Sequence, residues 1–246
     1  MFFMIPVVAL AIRWADLGAD AFGVVSIAAT IDSLLISLRT TLTAVLVTFV
    51  FGTPLAWILA TREFKLKPLV TVFVELPLVM PPVVAGLALL IAFGRNGLVG
   101  QHLADAGITV AMTRAAVVMA QVFVASPYYI RAAQLRFASI PWELREAAGI
   151  DGASERTFFW RMVMPLSAKA LVSGMILTWA RALGEFGATV LFAGNLAGLT
   201  RTMPSLVYIA LEQHLGASFT VAMVLLVFAG LSLALVRTVT YLDDSA

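Results

Sequence analysis

The run TTLTAVLVTFVFGTPLAWILAT, Thr40 to Thr61, carries no charge. As a helix rising about 1.5 Å per residue it is long enough to cross the hydrocarbon core of a bilayer, which takes about 20 residues. Gln213 to Val236 meets the same length, Leu76 to Gly94 nearly does, and Ala115 to Ile130 does so if its flanking arginines snorkel to the interface. In lipid every backbone polar group must be satisfied internally, so such runs predict an all-α membrane protein. A fifth run, from about Leu166 to Ala193, is interrupted by Arg181 and Glu185, and a first, from Met1 to about Trp14, is short for a span. Either that helix starts at the first residue or the natural chain starts further upstream. The six-helix reading places spans at about 1–14, 36–61, 69–94, 113–133, 166–193 and 215–237 within one transmembrane domain, 1–246.

Composition agrees. Of 246 residues, 61% are hydrophobic and only 12% charged, with a mean hydropathy of +1.00, against about 25% charge in ordinary soluble domains. The first segment lacks the positive start and small-residue cleavage site of a secretory signal, and reads as a retained helix. With no cysteine, neither a disulfide framework nor a thiolate metal site can form.

Orientation follows from the basic residues, which resist translocation. With both ends inside, the inner connections hold Arg62, Lys65, Lys67, Arg131, Arg136, Arg145, Arg156, Arg161, Lys169 and Arg237. The outer ones hold Arg13, Arg39, Arg95, Arg114 and Arg201, and Arg181 remains in the membrane. Ten against five predicts cytoplasmic termini.

Between the fourth and fifth spans lies a charge-rich cytoplasmic stretch, 134–165. Pro141 suits a first helical turn, which leaves its N–H groups unpaired, and Ser139 is a plausible cap before it. Trp142 to Ile150 reads as a short helix, ended by Gly149 or Gly152. Small Ala147, Ala148 and Gly149 would let a partner approach closely, while Glu143, Arg145 and Glu146 could make ion pairs at its rim. Helix in groove is one reading. A helix lying on the lipid surface is the other, although such helices are usually rich in Lys and Arg and this one is nearly neutral.

The order Glu146-Ala147-Ala148, three residues, Gly152, nine residues, Met162-Val163-Met164-Pro165 resembles the EAA loop of ABC importer permeases, with methionine where isoleucine and leucine are usual. Arg181-Ala-Leu-Gly-Glu-Phe-Gly-Ala188, Phe192-Ala-Gly-Asn195, Thr200-Arg-Thr-Met-Pro204, Gly52-Thr-Pro-Leu-Ala56, Leu76 to Gly86 and Phe93-Gly-Arg95 are similar to stretches of molybdate, tungstate and sulfate permeases. The resemblance covers about Ser37 to Val236. It implies a type I ABC importer permease fold with six transmembrane helices, whose short coupling helix, with Glu146, Ala147, Ala148, Gly149, Gly152 and Pro165, docks on a separate ATPase. ATP and magnesium would be bound by that ATPase and no cofactor by this chain. The other implied partners are an extracytoplasmic oxyanion-binding protein and a second permease copy. The implied setting is a prokaryotic inner membrane, with lipid around the chain and no nucleic acid.

Arg181 and Glu185 stand four apart near mid-membrane, where an unpaired charge costs at least about 2.5 kcal/mol, so pairing is expected. The pair has two readings: it belongs to the anion path or gate, or it is a static lock between helices. Pro81 and Pro82, following Glu75 and Pro77, predict a kinked or unwound span, lining the path or serving packing alone.

No glycine is followed by lysine, so no Walker-type phosphate loop occurs, and no G-x-S-x-G elbow does either. His102 and His214 lie in different outer connections without the companions a metal site needs. A self-contained secondary transporter and a membrane-embedded enzyme remain as alternatives, the first without a visible internal repeat and the second without a catalytic constellation.

Overall fold

A computed structural model describes residues 2–17 and 26–242, with residues 235–242 described by backbone alone. Among the described residues the secondary structure is helical throughout. After a 3₁₀ turn, Phe2–Met4, come α1 (Ile5–Asp16), α2 (Ile27–Thr61), α3 (Lys67–Val79), α4 (Pro82–Phe93), α5 (Gly100–Asp105) and α6 (Arg114–Ala138). They are followed by α7 (Trp142–Ile150), α8 (Glu155–Phe158), α9 (Met164–Leu183), α10 (Gly187–Ala193), α11 (Met203–Gln213) and α12 (Leu215–Leu242). Ile27–Thr61, Arg114–Ala138, Glu155–Leu183 and Leu215–Ala234 are long and apolar enough to cross a membrane.

α6 is the central post, packed between α2 and α9. The face of α2 that meets it is a stripe of small residues: Ser37, Thr41, Ala44, Thr48, Gly52 and Ala56 are all buried. Where apolar burial gains little from lipid, close backbone approach takes over as the packing force. Tyr129 of α6 shows how tight this is. A β-carbon on Gly52 would stand 3.2 Å from one edge of its ring, and one on Gly174 of α9 3.2 Å from the other. The Tyr129 hydroxyl lies 2.6 Å from that of Thr53, which also donates to the Phe49 carbonyl at 2.6 Å. Pro54 stands inside α2, as membrane helices allow where neighbouring groups re-satisfy the freed backbone.

Two of the expected spans are broken helices. The 69–94 span divides at Met80 and Pro81, both extended, with ψ of 131° and 133°, because Pro82 lacks the N–H that would continue the ladder and disfavours a helical Pro81. The 166–193 span divides after Leu183, where Gly184, Glu185 and Phe186 lie between α9 and α10. The first break is the one Pro81 and Pro82 predict, while the second, and some lengths, differ from the expected spans. α2 begins at Ile27 rather than near 36, and α1 is a 12-residue helix. The connection expected around His214 instead holds α11, whose Met203 N–H donates to the Ser37 hydroxyl at 2.8 Å. Ser37 on α2 thus caps α11 from across the bundle.

Pro165 has a local consequence as well. Ahead of it, Phe159–Val163 forms a π-helical turn in which the Met164 N–H reaches back five residues to Phe159. The wider turn accommodates a proline that can neither donate nor sit comfortably over the carbonyl four residues before it.

Candidate functional site: an exposed short helix and two helix breaks

α7 spans Trp142–Ile150, the segment read from the sequence, and Ala148 is its one buried residue. One face holds it in place: Leu144, Ala148 and Ala153 pack with Phe158 and Phe137, and Arg145 pairs with Glu155 at 2.5 Å. One expectation is thereby corrected. Ala148 is buried against its own chain rather than offered to a partner, since positions 144 and 148 share the inward helical face. Arg145 and Glu155 both remain substantially exposed, at 38% and 56%. The face left outside consists of Trp142, Glu143, Glu146, Ala147, Gly149 and Ile150, with Ile150 87% exposed. Its free charge is acidic, with Asp151 extending it.

The cap assignments change too. Pro141 is the residue before the first turn, not in it, and the Ser139 hydroxyl donates to the Arg136 carbonyl at 2.8 Å, closing α6 instead of opening α7. At the other end Gly152, not Gly149, terminates the helix. Its φ is +77°; its N–H donates to the Gly149 carbonyl at 3.0 Å and the Ala153 N–H to the Ala148 carbonyl at 2.8 Å. This paired pattern is the Schellman cap, which needs a left-handed residue at that position. Nothing lies within 4 Å of where a Gly152 β-carbon would be. The glycine is therefore required by backbone conformation, not by tight packing within the chain. Gly149 is exposed and equally uncrowded, and Pro165 lies beyond α7, at the start of α9.

The second locus lies in the bundle. Arg181, in the last turn of α9, forms an ion pair with Glu185, its Nη1 2.7 Å from Oε2, and the Glu185 side chain is 1% exposed against 27% for Arg181. The four-residue spacing survives although the helix ends between the two. The other carboxylate oxygen, Oε1, accepts the Ala188 N–H at 2.9 Å. Glu185 thus joins the end of α9 to the start of α10, and negative charge is favourable at a helix start as positive charge is at a helix end.

Pro82 belongs to the same place. A β-carbon on Gly187 would come within 3.0 Å of Pro82 Cβ, and one on Gly86 within 2.8 Å of the Ala188 backbone. Further along, the Phe93 and Phe192 rings stand 6.5 Å apart. α4 and α10 therefore run side by side in the same direction, and the Pro81–Pro82 and Gly184–Phe186 breaks sit next to each other. Phe186 also stacks on Tyr208 of α11 at 5.1 Å.

One participant was not singled out in the sequence. Gln121 of α6, 1% exposed, donates to the Ala182 carbonyl at 3.2 Å and to the Thr41 hydroxyl at 3.3 Å. Ala182 is in the last turn of α9, where carbonyls lose their helical partners. A lone amide within the apolar run 115–130 was the available signal, since a buried polar group in a membrane needs a partner. Glu75, left at the membrane edge by the sequence, pairs with Arg131 of α6.

The family described as "Binding-protein-dependent transport system inner membrane component" matches residues 52–245. The probable transport system permease protein NifC of Clostridium pasteurianum is 41% identical over 215 residues, covering 87% of this chain and 75% of that protein. The molybdenum transport system permease protein ModB of Mycobacterium tuberculosis is 39% identical over 235 residues, 94% of this chain and 87% of its own. The probable sulfate transport system permease protein cysT of Chlorokybus atmophyticus is 36% identical over 217 residues, 87% and 76%. Among solved structures, a bacterial ABC transporter that imports the acidic polysaccharide alginate superposes with a TM-score of 0.79 at 16% identity, over 98% of this chain and 90% of that one. At that identity the likeness shows the fold alone, which is that of an ABC importer permease.

Proposed function

We propose that this chain, which belongs to the family of binding-protein-dependent transport system inner membrane components, is the permease of an ATP-driven importer that carries molybdate or tungstate inward. The observation that carries the transport role is α7: a C-capped helix on the loop between two membrane-crossing helices, with one face packed on the bundle and the other showing apolar and acidic side chains with no partner among the described residues. Such a helix suits a groove on a separate ATPase, which would hold the ATP and magnesium. The oxyanion rests on the 39% identity to the Mycobacterium tuberculosis molybdenum permease over 94% of the chain. A sulfate permease is the second reading, favoured by the 36% identical relative.

In this reading both termini are cytoplasmic, two copies enclose the path, each copy docks on one ATPase, and a binding protein delivers the anion from outside. The adjoining breaks supply the moving part, because α4 and α10, packed through Gly86 and Ala188, can shift together relative to α3 and α9. Glu185 cancels the charge of Arg181 through Oε2 and accepts the Ala188 N–H at Oε1, which supports the lock over an anion-binding arginine. Uptake in cells should therefore require a separate ATPase chain. Accumulation that persists without one would mark a secondary transporter instead.

A further inference from the structure

α2, α3, α4 and α6 flank an open groove of about 650 Å³ whose walls, Val47, Phe73, Leu89, Phe93, Val118 and Val122 among them, are apolar. Only Thr43 and Ser126 contribute a side-chain oxygen. Val74, Pro77 and Ile130 line it as well, and Glu75 and Arg131 adjoin them in the chain. Arg131 donates from Nη1 to Glu75 Oε1, while 51% of the Arg131 side chain and 35% of that of Glu75 remain exposed. A dianion passing along such walls would shed water with two hydroxyls to replace it, so the groove does not suit the transported ion. An acyl chain loses nothing there.

We propose that the groove seats one acyl chain of a cytoplasmic-leaflet phospholipid, with its phosphate on Arg131 and an amine headgroup on Glu75. The inference rests on the chain spanning the membrane with the α2–α3 connection inside. Charge complementarity selects the occupant. The exposed pair offers one cation with unused guanidinium N–H groups, which favour phosphate geometry, and one carboxylate with a second acceptor oxygen. Their sum is neutral, like a zwitterionic headgroup. An ammonium with N–H donors can hydrogen-bond to Glu75, and a trimethylated one cannot. The volume lies within the range of about 300–1,000 Å³ common for small-molecule sites.

The test uses the permease assembled with its ATPase, reconstituted in vesicles of equal phosphatidylethanolamine and phosphatidylcholine and released for native mass spectrometry. Wild type should retain one phosphatidylethanolamine per permease chain. Ser126→Phe and Val122→Trp, which fill the groove at separate points, should each lose it while the assembly stays intact; either variant suffices if the other fails to fold. Glu75→Gln should retain both lipids equally. Filled variants that keep the wild-type count would overturn the site, and a Glu75→Gln protein with undiminished ethanolamine preference would overturn the headgroup assignment. Filled variants in which permease copies separate would show that the groove holds protein. Wild type that takes up no lipid in any vesicle would instead count against the membrane-spanning reading beneath it.

Discussion

Replacing Gly152 with leucine is expected to abolish stable association with the ATPase and to uncouple transport, while the membrane bundle stays folded. At φ +77° an L side chain costs about 1–2 kcal/mol, and a β-branched or bulky residue is a backbone outlier there. The short helix can avoid that cost by releasing its last turn, together with the bonds from Gly152 to Gly149 and from Ala153 to Ala148. Ile150 and Asp151 would then leave the face they now define. The conformational account separates itself from one based on size through Gly152→Asn and Gly152→Ala. Asparagine tolerates the left-handed region and should retain much of the coupling; alanine is smaller yet should be the worse of the two. If alanine proved the milder change in ATPase binding and in coupled ATP turnover, close approach of a partner would be the reason for glycine, and the cap only incidental.

The largest effect inside the membrane should come from breaking the Arg181–Glu185 pair. Truncating Glu185 to alanine strands Arg181, and breaking a buried pair typically costs about 3–5 kcal/mol, toward the lower end here because Arg181 is partly exposed. The same change removes the acceptor for the Ala188 N–H, about 1 kcal/mol for a lost helix cap. Arg181→Met leaves that cap in place but strands the more deeply buried partner, the 1% exposed Glu185 carboxylate, so it should cost at least as much in thermal stability. Arg181→Met with Glu185→Gln leaves no unpaired charge and retains an acceptor oxygen for Ala188, and should recover most of the loss. Recovery of both stability and uptake identifies a lock between α9 and α10. Recovery of stability without oxyanion-stimulated ATP turnover would assign one charge to the path, and simple additivity would show that the two side chains act independently.

The parts of the fold readable from the sequence were those set by local chemistry. Charge-free length marks Thr40 to Thr61, and Pro141 with Gly152 brackets α7. Pro81 and Pro82 announce a break because a missing N–H acts wherever the residue stands. What escaped depends on residues far apart in the chain. Arg131 meets Glu75 across 56 residues and Gln121 reaches Ala182 across 61, and no periodicity encodes either pairing. α11 escaped because its 11 residues are too few for a span, and its cap, Ser37, lies on α2. Ala148 shows a subtler failure: a small residue can serve its own core or a partner's approach, and only the direction of the helix face decides which. The break at Gly184 was half visible, since Arg181 and Glu185 interrupt the apolar run, but their spacing also fits an unbroken helix.

The central claim is that this chain couples ATP hydrolysis on a separate subunit to oxyanion import. Its most direct test is to purify the chain with its ATPase and its binding protein, reconstitute the assembly in lipid, and measure ATP turnover as molybdate, tungstate or sulfate is added. The account predicts turnover stimulated severalfold by molybdate or tungstate, only with the binding protein present and lost on Gly152→Leu. Turnover stimulated by sulfate alone would contradict the assigned cargo, and turnover indifferent to every oxyanion and to Gly152→Leu would contradict the coupling itself.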